Sequence, residues 1–311
     1  MTAFGGVEIG DERDDPFGGG DELPAPQDVL GKQKKVETIP EDNMVDGKKF
    51  AFGGDVADSF EDKVISKQIP GYDEMRHRIM TACMKFVKDK ALVADLGTSW
   101  GRTIRDIITA LAHAEDERIV TTKFIGLDYE DSMIERAQSL ISDLLESDLV
   151  KNAETKHVRK SLFNPHSPDG RIPVDLRHHD LRKGLPADVR DASLIVSTLT
   201  LQFIPTPYRQ RIVSEVYDAL LPGGAFIWTE KTLLPNYRFD DLYSEMYYDD
   251  KALNGVTDNA IVNKRRALDT YQNPMSHTAN LELLTNAGFR LENTDVMWKN
   301  LQFETILAIK D

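Results

Sequence analysis

The chain alternates between short apolar runs and longer segments in which apolar residues recur every three or four positions. Short apolar runs predict buried parallel strands, and the longer spacing predicts amphipathic helices. The predicted strands are 91–95, 124–128, 174–179, 192–198 and 225–229. The predicted helices around them are 72–88, 101–111, 132–145 and 208–221. Strands and helices that alternate in this way favour a doubly wound, mostly parallel α/β sheet.

The pattern changes after the fifth strand. Helical spacing at 238–253 and 259–271, with no strand between them, predicts an inserted helical cap over about 236–275. A helix at 278–287 then precedes two apolar runs, 290–298 and 301–310, which predict a hairpin. The hairpin would complete a seven-stranded sheet with one antiparallel edge strand.

Residues 1–57 differ from the rest of the chain. They are rich in glycine, proline and acidic residues, and they carry half of the net charge of -14. Because they lack apolar periodicity, we predict that they are mostly disordered and that residues 58–311 form the catalytic domain. The stretch 147–173 is also polar and contains proline, and no element is predicted in it.

Composition excludes several classes of protein. With 41% hydrophobic and 29% charged residues and a mean hydropathy of -0.40, the chain is typical of a soluble globular protein. It has no apolar run long enough to span a bilayer and no secretory signal, so a cytoplasmic location and no membrane partner are expected. The acidic balance disfavours direct binding to nucleic acid. The single cysteine, Cys83, excludes multi-cysteine metal sites, the histidines lack metal-ligand spacing, and no metal site is predicted.

The first predicted strand leads into a glycine loop, Asp95-Leu-Gly-Thr-Ser-Trp-Gly101. In an open α/β sheet, ligands bind beyond the carboxyl ends of the strands, where this loop lies. Its spacing matches neither the dinucleotide fingerprint nor the P-loop. Asp-x-Gly-x-x-x-Gly is instead the form found in class I S-adenosylmethionine enzymes. The alternative is a tight turn between strand and helix that binds nothing.

Polar residues lie at the carboxyl ends of three further predicted strands. Asp128 could accept hydrogen bonds from a ribose diol, since Asp131 and Ser132 are better placed to cap the following helix. Tyr129 could pack on adenine, and Asp180 with the backbone of Leu181 could bind an adenine edge. Thr198 closes the fourth strand. Together with Leu221-Pro-Gly-Gly224, these strand ends predict a nucleoside site.

Several segments, in order from about Phe60 to Lys310, resemble the carboxy-S-adenosylmethionine synthases, which have the class I methyltransferase fold. The segments are Phe60-Glu-Asp-Lys-Val-Ile-Ser-Lys-Gln-Ile-Pro-Gly-Tyr72, Asp95-Leu-Gly-Thr-Ser99, Thr200-Leu-Gln-Phe203, Pro222-Gly-Gly-Ala225, Glu230-Lys231 and Lys264-Arg265. These enzymes convert S-adenosylmethionine and prephenate into carboxy-S-adenosylmethionine and phenylpyruvate. The carboxyl unit is released as prephenate aromatises, and no protein nucleophile is required.

The resemblance implies that S-adenosylmethionine or carboxy-S-adenosylmethionine is bound by Tyr72, Gly97, Thr98, Ser99, Asp128, Tyr129, Asp180, Leu181 and Thr198. It assigns Arg265 to the added carboxylate, which a guanidinium fork holds bidentately. It also implies a homodimer, and a role in supplying carboxymethyl groups for the modification of tRNA wobble uridine.

The chain departs from the family pattern at three places. Thr198 stands where the family has Asn, Trp100 replaces a smaller residue, and Met246-Tyr-Tyr-Asp249 replaces a His-His pair. These departures leave open a methyltransferase or carboxymethyltransferase that acts on a small molecule or nucleic acid. A non-catalytic module that acts through its acidic tail is a third hypothesis.

Overall fold

A computed structural model of the chain describes residues 62–161, 171–268 and 271–311. The predicted tail at 1–57 lies outside the described residues. The strands are β1 Leu92–Leu96, β2 Lys123–Asp128, β3 Val174–His178, β4 Ala192–Thr198, β5 Leu220–Leu233, β6 Met275–Ser276, β7 Thr294–Asn300 and β8 Phe303–Ile309. The helices are α1 Asp62–Ile65, α2 Tyr72–Phe86, α3 Arg102–His113, α4 Arg118–Thr121, α5 Asp131–Leu145, α6 Asp148–Ser161, α7 Thr206–Ala219, α8 Tyr237–Leu253, α9 Asp258–Leu268 and α10 His277–Ala287.

The sheet has the order β3-β2-β1-β4-β5-β8-β7, and the two-residue β6 pairs with β5 outside this path. The first five strands are parallel, which confirms the predicted doubly wound sheet. The predicted antiparallel strand is β8, but it does not form the edge. It lies between β5 and β7, so that the edge strand β7 runs parallel to β5. The hairpin pairs back on β5 through its second strand because β8 is the more apolar and more buried of the two.

Two hydrophobic layers cover the faces of the sheet, because successive strand side chains point to opposite sides. On one face, Val93 and Phe124 pack against α2 and α3. On the other, Ala94 and Ile125 pack with residues of α7 and α10. Burial on both faces explains why these strands are continuous apolar runs rather than alternating ones.

Several elements differ from the sequence predictions. Helix α6 occupies the polar stretch after position 147, where no element was predicted. Strand β5 begins at Leu220, so that the Leu-Pro-Gly-Gly segment is part of it, with Gly223 at a φ of 69°. Helix α9 ends at Leu268 rather than near 271. The first residues predicted for β7 form a 3-10 turn, Leu291–Asn293, instead.

Helices α8 and α9 follow β5, in the region predicted as a cap. Val64, near the end of α1, packs with Val256, Ala260 and Ile261 and contacts Tyr248. The side-chain amide of Asn254 also donates a hydrogen bond to the Lys67 carbonyl. The segment before α2 is therefore held against the cap helices.

Candidate functional site

The glycine loop after β1 is hydrogen-bonded to β2 and to its own first residue, Asp95. The backbone N–H groups of Gly97 and Thr98 both donate to the Leu127 carbonyl over 2.8 Å. The Thr98 hydroxyl donates to Asp95 Oδ2 over 2.9 Å. Asp95 is buried, which raises its pKa to about 6. These contacts fix the loop at the carboxyl end of β1 without any ligand.

Gly97 is required by a neighbouring side chain. It has a φ of 76°, and a Cβ at this position would lie 2.1 Å from Thr200 Oγ1 and 2.3 Å from its Cγ2. From the sequence, Gly97 is predicted to let the backbone approach a ligand. In the structure, the close approach is to the threonine of the Thr-Leu-Gln-Phe segment, which links the loop to the end of β4.

Asp128 joins the loops after β1 and β2. Its carboxylate accepts hydrogen bonds from the N–H of Ser99 over 2.8 Å and from the N–H of Glu130 over 3.0 Å. Burial raises its pKa, and these donated hydrogen bonds oppose the rise. A carboxylate offers about four acceptor positions, so two contacts leave capacity for a diol.

The predicted caps of the next helix are wrong. Glu130 occupies the N-cap of α5 without a side-chain hydrogen bond. Ser132 Oγ is buried and has no partner among the described residues. Asp131 instead lies 3.1 Å from His178 Nδ1.

Tyr129 and Asp180 are joined by an arginine that the sequence argument did not single out. Arg182 forms two hydrogen bonds with Asp180, from Nε over 2.8 Å and from Nη2 over 2.9 Å. Its Cζ also lies 5.1 Å from the centre of the Tyr129 ring. The hydrogen bonds from Arg182 lower the pKa of Asp180. The buried Leu181 begins the 3-10 turn Leu181–Lys183 beside this cluster. An adenine bound here would share the Asp180 carboxylate with Arg182.

Two further predicted cofactor residues, Tyr72 and Thr198, lie at the start of α2 and the end of β4. Tyr72 begins α2, is 6% exposed, and accepts a hydrogen bond at its hydroxyl from Arg102 Nη1 over 3.3 Å. Thr198 Oγ1 is buried and has no hydrogen-bond partner among the residues that the structure describes. A buried hydroxyl without a partner is costly, and a polar ligand group would satisfy it.

Trp100 lies between two guanidinium groups. The Cζ atoms of Arg102 and Arg136 lie 5.5 Å and 5.0 Å from its ring centre. Its indole Nε1 is buried without a hydrogen-bond partner in the described ranges. The larger residue in the glycine loop is thus accommodated by cation–π contacts on the outer side of α3 and α5.

Arg265 lies on one of the two cap helices. It lies on α9, is exposed, and has its Cζ 5.7 Å from the centre of the Tyr248 ring. Its guanidinium forms no hydrogen bond or ion pair with another described residue. Its neighbour Lys264 donates a hydrogen bond to Gln68 Oε1, four residues before Tyr72. The Pro-Gly-Tyr and Lys-Arg segments therefore meet, although they are almost 200 positions apart.

The cap also contains a group of lysines around Tyr247. Lys251 is 4% exposed, and its Nζ lies 4.0 Å from the centre of the Tyr247 ring, with Lys231 Nζ 5.3 Å from the same ring. Burial, together with the smaller effects of the Lys264 and Lys231 charges, lowers the pKa of Lys251 to about 6. Burial also lowers the pKa of Lys264 to about 8.

Lys251 is not among the residues predicted from the sequence. Its spacing of four residues from Tyr247 placed the two on one helix face, but an isolated lysine on a helix is usually solvated.

Glu230 lies beside Lys231 but faces the other side of the sheet. It is 3% exposed and pairs in register with Glu304 of β8, whereas Lys231 pairs with Phe303. Burial raises the pKa of Glu230 to about 8, against the opposing effect of the Arg209 charge. The carboxyl group is therefore largely protonated at neutral pH.

The strand-end residues fit an adenosyl ligand. Asp128 retains acceptor capacity, and Thr198 presents a buried hydroxyl that lacks a partner. In the described residues, no group of three or more His, Cys, Asp or Glu side chains is arranged to hold a metal ion. None of the described helices is long and apolar enough to cross a membrane.

Comparison with known proteins gives consistent relatives. No family model matches the chain. The carboxy-S-adenosyl-L-methionine synthase of Methylococcus capsulatus is 30% identical over 261 residues, which cover 84% of this chain and 93% of the relative. The enzyme of the same name from a Nitratiruptor species is 28% identical over 263 residues, or 85% and 94% of the two chains.

Solved structures resemble the chain at lower identity. A possible exported protein of Bordetella parapertussis has a TM-score of 0.51 and 15% identity, over 87% of this chain and 77% of the other. Human N-acetylserotonin methyltransferase in complex with SAM has a TM-score of 0.43 and 18% identity, over 75% and 51% of the two chains.

Proposed function

Because this chain belongs to the carboxy-S-adenosyl-L-methionine synthase family, we propose that it converts S-adenosylmethionine and prephenate into carboxy-S-adenosylmethionine and phenylpyruvate. The observation that carries the proposal is the contact between Lys264 and Gln68. This contact brings the helix that bears Arg265 to the segment that leads into Tyr72. Two of the most specific motifs of the family are thus joined beside the predicted cofactor residues.

The residues divide into two sets by their proposed tasks. Asp128 binds the ribose diol, Leu181 and Tyr129 contact adenine, and Thr198 donates or accepts one hydrogen bond. Arg265 binds the carboxylate that distinguishes the product from S-adenosylmethionine. The glycine loop residues Gly97, Thr98 and Ser99 and the Tyr72 ring complete the cofactor site.

The overall reaction balances without a protein nucleophile. Aromatisation of prephenate breaks the bond to its ring carboxyl group and releases the ring hydroxyl group. The carboxyl unit passes to the sulfonium methyl carbon, which loses one proton, and this proton and the hydroxide form water. The protein is required to bind both substrates close together and to exclude water from the reacting carbon.

A second candidate is a methyltransferase or carboxymethyltransferase that acts on a small molecule or nucleic acid. Tyr247 and Tyr248 favour it, because they replace a pair of histidines in the cap. The Thr198 hydroxyl, which has no partner among the described residues, also differs from the asparagine of the family.

The remaining proposals follow from the resemblance. We propose that the protein acts in the cytoplasm as a homodimer, without contacting nucleic acid itself. Its product would supply carboxymethyl groups for tRNA wobble uridine. Because residues 1–57 precede the first matched segment, we propose residues 58–311 as the catalytic domain.

Isotope transfer tests the function directly. The purified protein is incubated with S-adenosylmethionine whose methyl group is fully deuterated, and with prephenate labelled with carbon-13 in its ring carboxyl group. We expect a carboxylated cofactor that contains the carbon-13 label and has lost one deuteron. A protein that leaves both labels in their starting compounds, or transfers the intact methyl group to an added acceptor, would exclude synthase activity.

A further inference from the structure

Lys251 carries a buried amine that has no counterion among the described residues. Lys251 is 4% exposed, and its Nζ lies 4.0 Å from the ring centre of Tyr247 and 5.8 Å from that of Tyr248. In the described part of the chain, the side-chain amine of Lys251 forms no ion pair and no hydrogen bond. Buried charges in proteins are normally paired or neutralised, so this position requires an explanation.

The charged groups that face Lys251 from the other elements are all cationic. Strand β5 contributes Lys231, and α9 contributes Lys264, with Arg265 next to it over Tyr248. On α8 itself the rings of Tyr247 and Tyr248 face the amine. No carboxylate of the described residues contributes to the pKa of Lys251. An arrangement of several cations with neutral aromatic walls is complementary to an anion.

The lysines lie next to the predicted cofactor loop. The Lys231 backbone N–H donates to Gln202 Oε1 over 2.8 Å. Gln202 belongs to the same turn as Thr200, whose side chain lies against Gly97. On the other side, Tyr247 packs its ring 5.5 Å from that of Phe303. Lys231 is therefore linked through Gln202 to the turn whose Thr200 contacts Gly97, and Tyr247, which contacts both Lys231 and Lys251, is held against β8.

We propose that Lys251, together with Lys231 and Lys264, binds a carboxylate group of the second substrate, and that Tyr247 holds Lys251 in position for this contact. The inference rests on the proposed function, which supplies a dicarboxylate as that substrate. It assigns to the cap lysines the binding of the incoming dianion, and leaves Arg265 to the carboxylate of the product.

Proton uptake is the distinguishing consequence. Without an anion, burial and two neighbouring cations keep the Lys251 amine mostly neutral at pH 7.5. A bound carboxylate favours the ammonium, so binding must be accompanied by uptake of up to about one proton. A purely structural lysine would not take up a proton on binding.

The experiment measures prephenate binding to the full-length protein saturated with S-adenosylhomocysteine, which lacks the reacting methyl group, so that binding is measured without turnover. Calorimetry at pH 7.5 in two buffers of different ionisation enthalpy gives both affinity and proton uptake. The variants are Lys251→Met, Lys251→Arg, and Lys85→Met as a control at an exposed lysine of α2. Methionine retains most of the buried volume without charge, and arginine retains a permanent charge.

We expect Lys251→Met to weaken prephenate binding about tenfold to a hundredfold, to abolish proton uptake, and to leave affinity for S-adenosylmethionine within about twofold. Lys251→Arg should recover much of the affinity without proton uptake, and Lys85→Met should behave as wild type. Unchanged prephenate affinity in Lys251→Met, or an equal loss for both ligands, would overturn the proposal. If Lys251→Met does not fold, proton uptake that persists in Lys251→Arg overturns it.

The two proposals fail in different ways. Wild-type protein that forms the carboxylated cofactor, with a prephenate KM unaffected by Lys251→Met, would reject the anion site alone. Wild-type protein that binds prephenate with proton uptake, but forms no carboxylated cofactor, would reject the synthase activity and retain the anion site.

Discussion

The backbone N–H of Ser99 donates a hydrogen bond to Asp128 Oδ2 over 2.8 Å. This contact joins the glycine loop after β1 to the acidic residue after β2, two positions that are 29 residues apart. Because the donor is a backbone group, the loop conformation and the position of the carboxylate depend on each other. Asp128 therefore has a structural task as well as its proposed contact with a ribose.

Replacement of Asp128 by alanine should weaken binding of S-adenosylmethionine by about 1.5 to 3 kcal/mol, the usual scale for the loss of charge-assisted hydrogen bonds. Asp128→Asn should retain part of the affinity, since the amide oxygen can still accept from Ser99. Calorimetric titration with the cofactor measures both. Asp131→Asn is the control, because Asp131 is an exposed neighbour paired with His178. Cofactor affinity that is the same in Asp128→Ala and wild type would remove Asp128 from the ligand site.

Gly97→Ala should lower the free energy of unfolding by about 2 to 4 kcal/mol. The new Cβ would lie 2.1 Å from Thr200 Oγ1, and the φ of 76° is unfavourable for alanine. Adding Thr200→Gly should restore the part due to the clash, so the double-mutant cycle should show a favourable coupling of at least about 1 kcal/mol. Denaturant unfolding provides all four stabilities.

Gly101→Ala is the matched control for this cycle. Gly101 has a similar φ of 74°, but its Cβ would meet Ala137 at 3.2 Å, and Thr200 is not among the atoms that it would contact. Thr200→Gly should therefore fail to rescue it. Additive effects of Gly97→Ala and Thr200→Gly would show that the backbone conformation alone explains the glycine.

The sequence was sufficient for the order of the main elements and for the family, because both depend on local patterns. Apolar runs such as 192–198 identify buried strands, and the relatives confirm the family that the motifs indicated. Contacts between distant residues were beyond such patterns. The role of Gly97 depends on Thr200, and Lys264 contacts Gln68 from 196 positions away; no local pattern indicates either contact.

Lys251 shows the same limit more strongly. Its burial results from the packing of α8 against α9 and, through Tyr247, against Phe303 of β8, and a single helical lysine gives no sign of it. Helix α6 was missed for a related reason, since its mean composition is polar and its packing against α3 and α4 is tertiary. The cofactor-binding roles assigned to the site residues remain predictions, because each role is a contact with a ligand.

Glu230 should make the protein less stable as the pH rises from about 4.5 to 8. Its pKa is raised by burial from 4.5 to about 8, so in this window the folded state binds a proton that the unfolded state has released. Stability then falls with increasing pH, at up to about 1.4 kcal/mol per pH unit. Glu230→Gln should remove this part of the dependence. Denaturant midpoints at pH 5, 6.5 and 8 test it, and parallel curves for the two proteins would contradict the assignment.

Arg265 provides the sharpest test of the proposed activity. If it binds the carboxylate added to the sulfonium carbon, Arg265→Ala should weaken carboxy-S-adenosylmethionine by about 2 kcal/mol more than S-adenosylmethionine. Arg265→Lys should recover only part of this difference, because an ammonium lacks the planar fork of donors. Arg266→Ala is the matched control, since Arg266 is the exposed neighbour on the same helix.

Competition binding with the two purified cofactors measures this difference for Arg265. The structure places the guanidinium over Tyr248, with no ion pair or hydrogen bond to another described residue, so its charge is available to a ligand. Carboxy-S-adenosylmethionine formation from prephenate should fall in both Arg265 variants and stay unchanged in Arg266→Ala. An equal loss for the two cofactors would assign Arg265 a structural role. Wild-type protein that prefers S-adenosylmethionine would favour the methyltransferase alternative, since a synthase site must hold the added carboxylate.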